Sequence, residues 1–473
     1  MKLRTSLGLS ALLVATATMT ASGAPAAPVP APVLLGADHS IDSSDPSDAR
    51  PRIESNVAVD PRNPKRVVVS AIQLAVSEST ALTTGYRNFD RTWTSSNGGA
   101  SYTSSGPLPP QPGGVPASND PTLAWDPHGP LYASYTSFNK PVATSNTPED
   151  GLYVARSVDG GAHWQRRAHV EGFSCAGPDR STVAVDPVRG WVYLTWVHYV
   201  ESACNGSPDM TKTVTRFARS TDGGAHFSRP VDVTVDGESA QLAPAVLPDG
   251  TLLVAYVSRF PLAVADPTCH GLTGTLKVAR YRPDGRLLDR RVAVSALCST
   301  TLGLSPNGAT YLQMLFPSVA VNASTGRAVI AVIDDLAEQH GVAVATSGDA
   351  GRTWATQVIS GLPGSSASMP AVAPGPRGRF ALAWLEIDPG GTFTAQLAAS
   401  PDGSAWSAPV ALATLPSLGN AHPMTPFDRY GFGHYLGVAV GSDSVAHVAW
   451  PDLRPKAGDV TDTDIWTRQA QLP

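Results

Sequence analysis

Ser157-Val158-Asp159-Gly160-Gly161-Ala162-His163-Trp164 decides the fold, because this octapeptide returns along the chain. It recurs as Ser220-Thr221-Asp222-Gly223-Gly224-Ala225-His226-Phe227 and as Ser347-Gly348-Asp349-Ala350-Gly351-Arg352-Thr353-Trp354. Looser copies are Ser95-Ser96-Asn97-Gly98-Gly99-Ala100-Ser101-Tyr102 and Ser400-Pro401-Asp402-Gly403-Ser404-Ala405-Trp406. Pro283-Asp284-Gly285 and Thr463-Asp464-Ile465-Trp466 stand where two further copies are due. From Asn97 to Asp464 the steps are about 62 residues, with one shorter, and a period of that length with strand-like content signals a propeller blade. The motif has a physical logic. Asp or Asn in a tight turn accepts from backbone amides ahead of it, Gly takes the positive φ where the chain reverses, and the aromatic covers the turn.

Two strand signals precede each copy. One is a short apolar run ending in a turn, as in Val57-Ala58-Val59-Asp60-Pro61, Leu123-Ala124-Trp125-Asp126-Pro127 and Val183-Ala184-Val185-Asp186-Pro187. The other alternates with aromatics, as in Val192-Tyr193-Leu194-Thr195-Trp196 and Ala446-His447-Val448-Ala449-Trp450. A blade therefore reads strand A, Asp-Pro turn, strand B, loop, strand C, box turn, strand D. Seven A–B pairs can be counted, which predicts an all-β propeller of about seven four-stranded blades, with six as the alternative. The last unit lacks room for strand D. The segment Val33-Leu34-Leu35-Gly36 is expected to supply it and close the ring.

Composition agrees with a turn-rich chain: Gly 43 and Pro 42 are high and charged residues make up only 15%. A net charge of −5 suggests neither a nucleic-acid footprint nor a membrane-surface patch. At the N-terminus, Lys2 and Arg4 precede an uncharged apolar run from Leu7 to Met19, followed by Ser22, Ala24 and Ala26. That pattern reads as a secretory signal peptide over residues 1–26, too short in its apolar run to span a bilayer. Residues 27–50 form a Pro/Ala-rich leader with the possible ring-closing strand, and 51–473 a single propeller domain. A secreted protein without membrane insertion is the expectation, acting as a monomer.

Because strands alternate in direction, A–B turns and box turns share one face. The starts of A and the ends of B share the other, and a ligand site is expected there, over the central channel. Equivalent positions at the start of strand A are Glu54, Asp120, Arg180, Gln241, Phe316, Met369 and Tyr435. Just past strand B they are Gln73, Ser137, His198, Ser258, Asp334, Glu386 and Asp452. Charged groups converging in such a funnel need partners or a ligand. Four cysteines in an exported chain point to disulfides, and three pairings are open. Cys175–Cys204 and Cys269–Cys298 are preferred, because all four fall on loops of the site face and each pair spans about 29 residues.

The box motifs resemble the Asp-box (bacterial neuraminidase) repeats of sialidases and related propellers, over nearly the whole mature chain. Sialidases have six blades, one fewer than the count here. The resemblance implies an exo-acting glycosidase that holds the carboxylate of a terminal acidic sugar with three arginines. It also implies an Asp acid/base and a Tyr nucleophile activated by a Glu. Tyr435, in Gly433-His434-Tyr435-Leu436-Gly437, matches the nucleophile's place at the opening of the last inner strand. Arg52-Ile53-Glu54 is similar to the family's Arg-Ile-Pro but lacks the Pro. Arg180, flanked by Asp179, and Arg429 complete the triad, with Arg454 as a rival for the third place. Asp120 is the implied acid, and Glu54 and Glu386 compete as the base for Tyr435. No cofactor and no metal are expected: Asp459, Asp462 and Asp464 lack the spacing of a calcium loop. The expected partner is a glycan. A non-catalytic glycan- or protein-binding propeller, a polysaccharide lyase and another glycosidase stand as alternative functions.

Overall fold

The computed structural model describes residues 27–41, 52–73, 88–110, 118–137, 149–173, 177–199, 213–234, 240–259, 272–299, 301–303, 310–312, 315–334, 341–360, 365–388, 392–417, 435–452 and 464–473. They form seven four-stranded antiparallel sheets, each in chain order from the inside outward except the last. The innermost strands are Arg52–Asp60, Ser118–Trp125, Pro178–Val185, Ala240–Val246, Ser318–Val321, Ser366–Pro374 and Gly437–Val440. In the last sheet Val33–Ser40 pairs antiparallel with Asp464–Gln471, so the N-terminal strand is the outermost strand of the seventh blade. The ring closes as the missing strand D required.

The repeated turn shows why its residues recur. Ser157 Oγ donates to Asp159 Oδ1 at 2.8 Å and accepts the Gly161 amide at 2.8 Å, while Asp159 Oδ1 accepts the His163 amide at 3.0 Å. The same bonds form at Ser220, Asp222 and Gly224, and at Ser347, Asp349 and Gly351. Gly161 has φ +89, and a Cβ there would lie 2.9 Å from Val68 of the preceding blade. The turn is thus pressed against its neighbour. Trp164 packs on the core shared by blades 1 and 2, and Phe227 on that of blades 2 and 3. The core is a series of such layers between blades, holding the fully buried Trp93, Trp196, Trp384 and Trp450. At the ring's seam, Gly437 lets the last inner strand approach the first: a Cβ would fall 2.6 Å from the Val57 amide nitrogen.

Two expectations are corrected. Thr463-Asp464-Ile465-Trp466 is no box turn: Asp464 opens strand C of blade 7, and that blade has no C–D turn because its outer strand comes from the N-terminus. Cys298 lies not in a loop but near the end of the outer strand of blade 4, Leu287–Ser299, paired with Thr273. It is fully buried and is not a free thiol. Cys175, Cys204 and Cys269 lie outside the described residues, as does the signal segment 1–26. Among the described residues no helix is long and apolar enough to cross a membrane.

Candidate functional site

Inner strands carry an irregularity where the first ring of candidate residues stands. Glu54, Asp120, Arg180 and Met369 adopt left-handed backbone conformations, with φ of 58°, 62°, 52° and 53°. Each sits in a register shift between strands A and B, at Ile53/Asn56, Asn119/Thr122, Asp179/Thr182 and Ser368/Ala371. A bulge of this kind inserts one extra residue and re-aims its side chain, and a left-handed conformation at a non-glycine residue carries strain that the surrounding sheet must hold. Four blades repeat the device at one level of the ring.

The bulges open on a cavity of about 270 Å3 over the channel. Asp120, Arg180, Phe316, Met369 and Tyr435 line it, and its lower wall comes from inner strands of all seven blades, including Val57, Leu123, Val183, Ala243, Val319, Val372 and Val438. Glu54 is buried beside it, 5% exposed. Burial raises the Tyr435 pKa well above 10, and the charges of Glu54, Asp120 and Asp90 add to the rise. Tyr435 Oη has no hydrogen bond of normal geometry among the described residues. Glu54 is the charge that bears on it most strongly. Burial also raises the Asp120 pKa, reinforced by Asp179 and Glu54 and only partly opposed by Arg180. Asp120 is thereby held toward its protonated form, the form of a general acid.

Arg180 is the described arginine that reaches the cavity. Its Nε lies 3.5 Å from Asp179 Oδ2, and its guanidinium carbon stands 4.3 Å from the centre of the Phe316 ring. Arg52 goes elsewhere. Its Nη1 donates to Asp464 Oδ1 at 2.8 Å, both side chains are wholly buried, and the guanidinium packs over Trp93. Glu386 accepts a 2.5 Å hydrogen bond from Ser365. Other members of the second ring are likewise tied to their own neighbours, Gln73 to Arg91 and Asp452 to Trp450. Arg429 and Arg454 lie outside the described residues.

Asp90 escaped the sequence reading. It is fully buried in strand C of blade 1, neither carboxyl oxygen has a hydrogen-bond partner among the described residues, and burial pushes its pKa well up. The signal lay in the register. Asp90 pairs with Ile72, and its counterparts in the other blades are Leu152, Thr215, Leu276, Val342, Ala395 and Ile465, none of them charged.

No family model matches the chain, and no curated protein does. Among solved structures, it resembles an α-L-arabinanase from Penicillium chrysogenum complexed with arabinobiose, at 9% identity over 94% of this chain and 99% of that one, TM-score 0.49. It also resembles an α-L-arabinofuranosidase from Fusarium graminearum, at 14% identity over 79% and 98%, TM-score 0.46. A point variant of a sialidase from Streptococcus pneumoniae matches at 9% identity over 93% and 98%, TM-score 0.46.

Proposed function

We propose that the chain is an exported glycoside hydrolase that removes a terminal acidic sugar, sialic acid being the first substrate to test. The observation that carries the reading is the set of bulges that brings Asp120 and Arg180 into one cavity shared with Tyr435, with the bulged Glu54 close enough for its charge to bear on the phenol. In this reading the substrate carboxylate rests on Arg180, a charge-assisted contact. Tyr435 Oη attacks the anomeric carbon as its proton passes to Glu54, and a neutral phenol meets the anionic sugar without the repulsion a carboxylate nucleophile would suffer. Asp120 gives its proton to the leaving oxygen as the glycosidic bond breaks. It then takes a proton from the water that releases the sugar from the tyrosine. The cavity, at about 270 Å3, falls just below the usual range of ligand sites, roughly 300 Å3 and upward, which suits a chain-end sugar better than an internal segment. Export rests on the pattern of residues 1–26, and the bridges Cys175–Cys204 and Cys269–Cys298 remain part of the proposal.

The test is release of fluorophore from a panel of aryl glycosides that includes the α-sialoside, an α-L-arabinofuranoside and a β-glucuronide. Cleavage of the sialoside supports the reading. Cleavage of a neutral member alone overturns the acidic-sugar assignment. Cleavage of none, with binding retained on a glycan array, replaces the enzyme with a binding propeller.

A further inference from the structure

We propose that Tyr199 and Phe316 are positioning residues that hold the Arg180 guanidinium in one orientation and keep its Nη1 unpaired for a ligand carboxylate. The proposal rests on the acidic-sugar reading for its substrate, but its geometry stands apart from any turnover. Two contacts bear on Arg180, and a third fixes one of them. Phe316, from the ring position two blades away, covers one face at 4.3 Å. Asp179 Oδ2 lies 3.5 Å from Nε. That same carboxylate oxygen accepts a 2.9 Å hydrogen bond from Tyr199 Oη, at the far end of strand B of the same blade. Nη1 is enclosed and has no hydrogen-bond partner among the described residues.

A guanidinium is a planar fork, and its natural pairing with a neighbouring carboxylate is bidentate. Asp179, the preceding residue, already lies against Nε, and a shift of its carboxylate onto the Nη groups would fill the place a substrate would take. Tyr199 prevents this by engaging Asp179 Oδ2 and holding the carboxylate on the Nε side. Phe316 removes the remaining freedom by fixing the plane of the fork. The side chain thus meets its ligand with its orientation already set.

Tyr199→Phe removes the hydrogen bond and keeps the ring. It should raise KM for an aryl sialoside about tenfold and leave kcat within about twofold, because the loss is of carboxylate binding and not of chemistry. Phe316→Leu should act in the same direction. An independent readout is the Arg180 Nε–H signal in selectively 15N-arginine-labelled protein, assigned by its absence in Arg180→Lys. Its exchange with solvent should quicken in Tyr199→Phe. Unchanged KM together with unchanged Nε–H exchange in both variants would overturn the proposal. A wild type that neither binds N-acetylneuraminic acid nor cleaves the sialoside would end the acidic-sugar reading, while the Arg180 signal would still decide the clamp.

Discussion

Arg52 of the first inner strand and Asp464 of the last blade, 412 residues apart, meet at 2.8 Å with no solvent on either side chain. Ser40, on the N-terminal strand, donates to the second oxygen of the same carboxylate at 2.5 Å. One carboxylate thus joins the ring-closing strand, the strand it completes, and the blade across the seam. Removing one partner of a buried pair leaves the other charge stranded. Arg52→Met should therefore cost about 3–5 kcal/mol in urea unfolding, and Arg52→Met with Asp464→Leu should regain much of it. If Arg52→Met stayed as stable as the wild type and lost affinity for an acidic sugar instead, Arg52 would be a substrate ligand.

His447 predicts acid sensitivity at the same seam. It is 2% exposed, neither ring nitrogen has a hydrogen-bond partner among the described residues, and burial lowers its pKa from 6.5 to about 4. Its folded pKa lies below its unfolded one, so between them the unfolded chain binds the extra proton. This contribution is complete above pH 6.5 and is lost as pH falls toward 4. It amounts to about 3 kcal/mol across the window. Chemical denaturation of wild type and His447→Leu over this range checks it: the wild type should lose more stability on acidification, by roughly that amount. Parallel curves would contradict it.

Asp90 works in the opposite sense. Its carboxyl pKa is raised by burial, with Glu54 adding to the rise, so the folded state holds a proton that the unfolded chain gives up just above pH 4. Stability from this group falls as pH climbs from there. Asp90→Asn, which keeps the shape and removes the titration, should melt higher than the wild type at pH 8, with the gain shrinking toward pH 4. An equal difference in Tm at both pH values would show that Asp90 does not titrate in this way.

The blades were legible because the clearest boxes copy one bonded turn, Ser157 to Asp159 to His163, in which the Ser and Asp oxygens accept particular backbone amides. Ring closure was legible from arithmetic, since the last unit ran short of one strand. The same arithmetic misled at Asp464, because a period carries no sign that one blade takes its outer strand from the other end of the chain. In the site, ring positions followed from aligning strand starts, and the structure places Glu54, Asp120, Arg180 and Tyr435 at or beside one cavity. Arg52 stands away from that cavity for a physical reason. Strand alternation puts residues two apart on one face, but the bulge at Glu54 breaks the alternation, and Arg52 turns into the seam instead. Tyr199 and Asp90 needed cross-strand register and hydrogen-bond partners, which no linear pattern holds.

The central claim is that Tyr435 is the attacking group of a sugar-cleaving site, and turnover of an aryl α-sialoside by wild type and Tyr435→Phe tests it most directly. Phenylalanine keeps the ring and removes the one oxygen that can attack. The expected result is a folded variant whose kcat falls at least about a hundredfold while the wild type turns over the substrate. A Tyr435→Phe protein with wild-type kcat on that sialoside would contradict the claim.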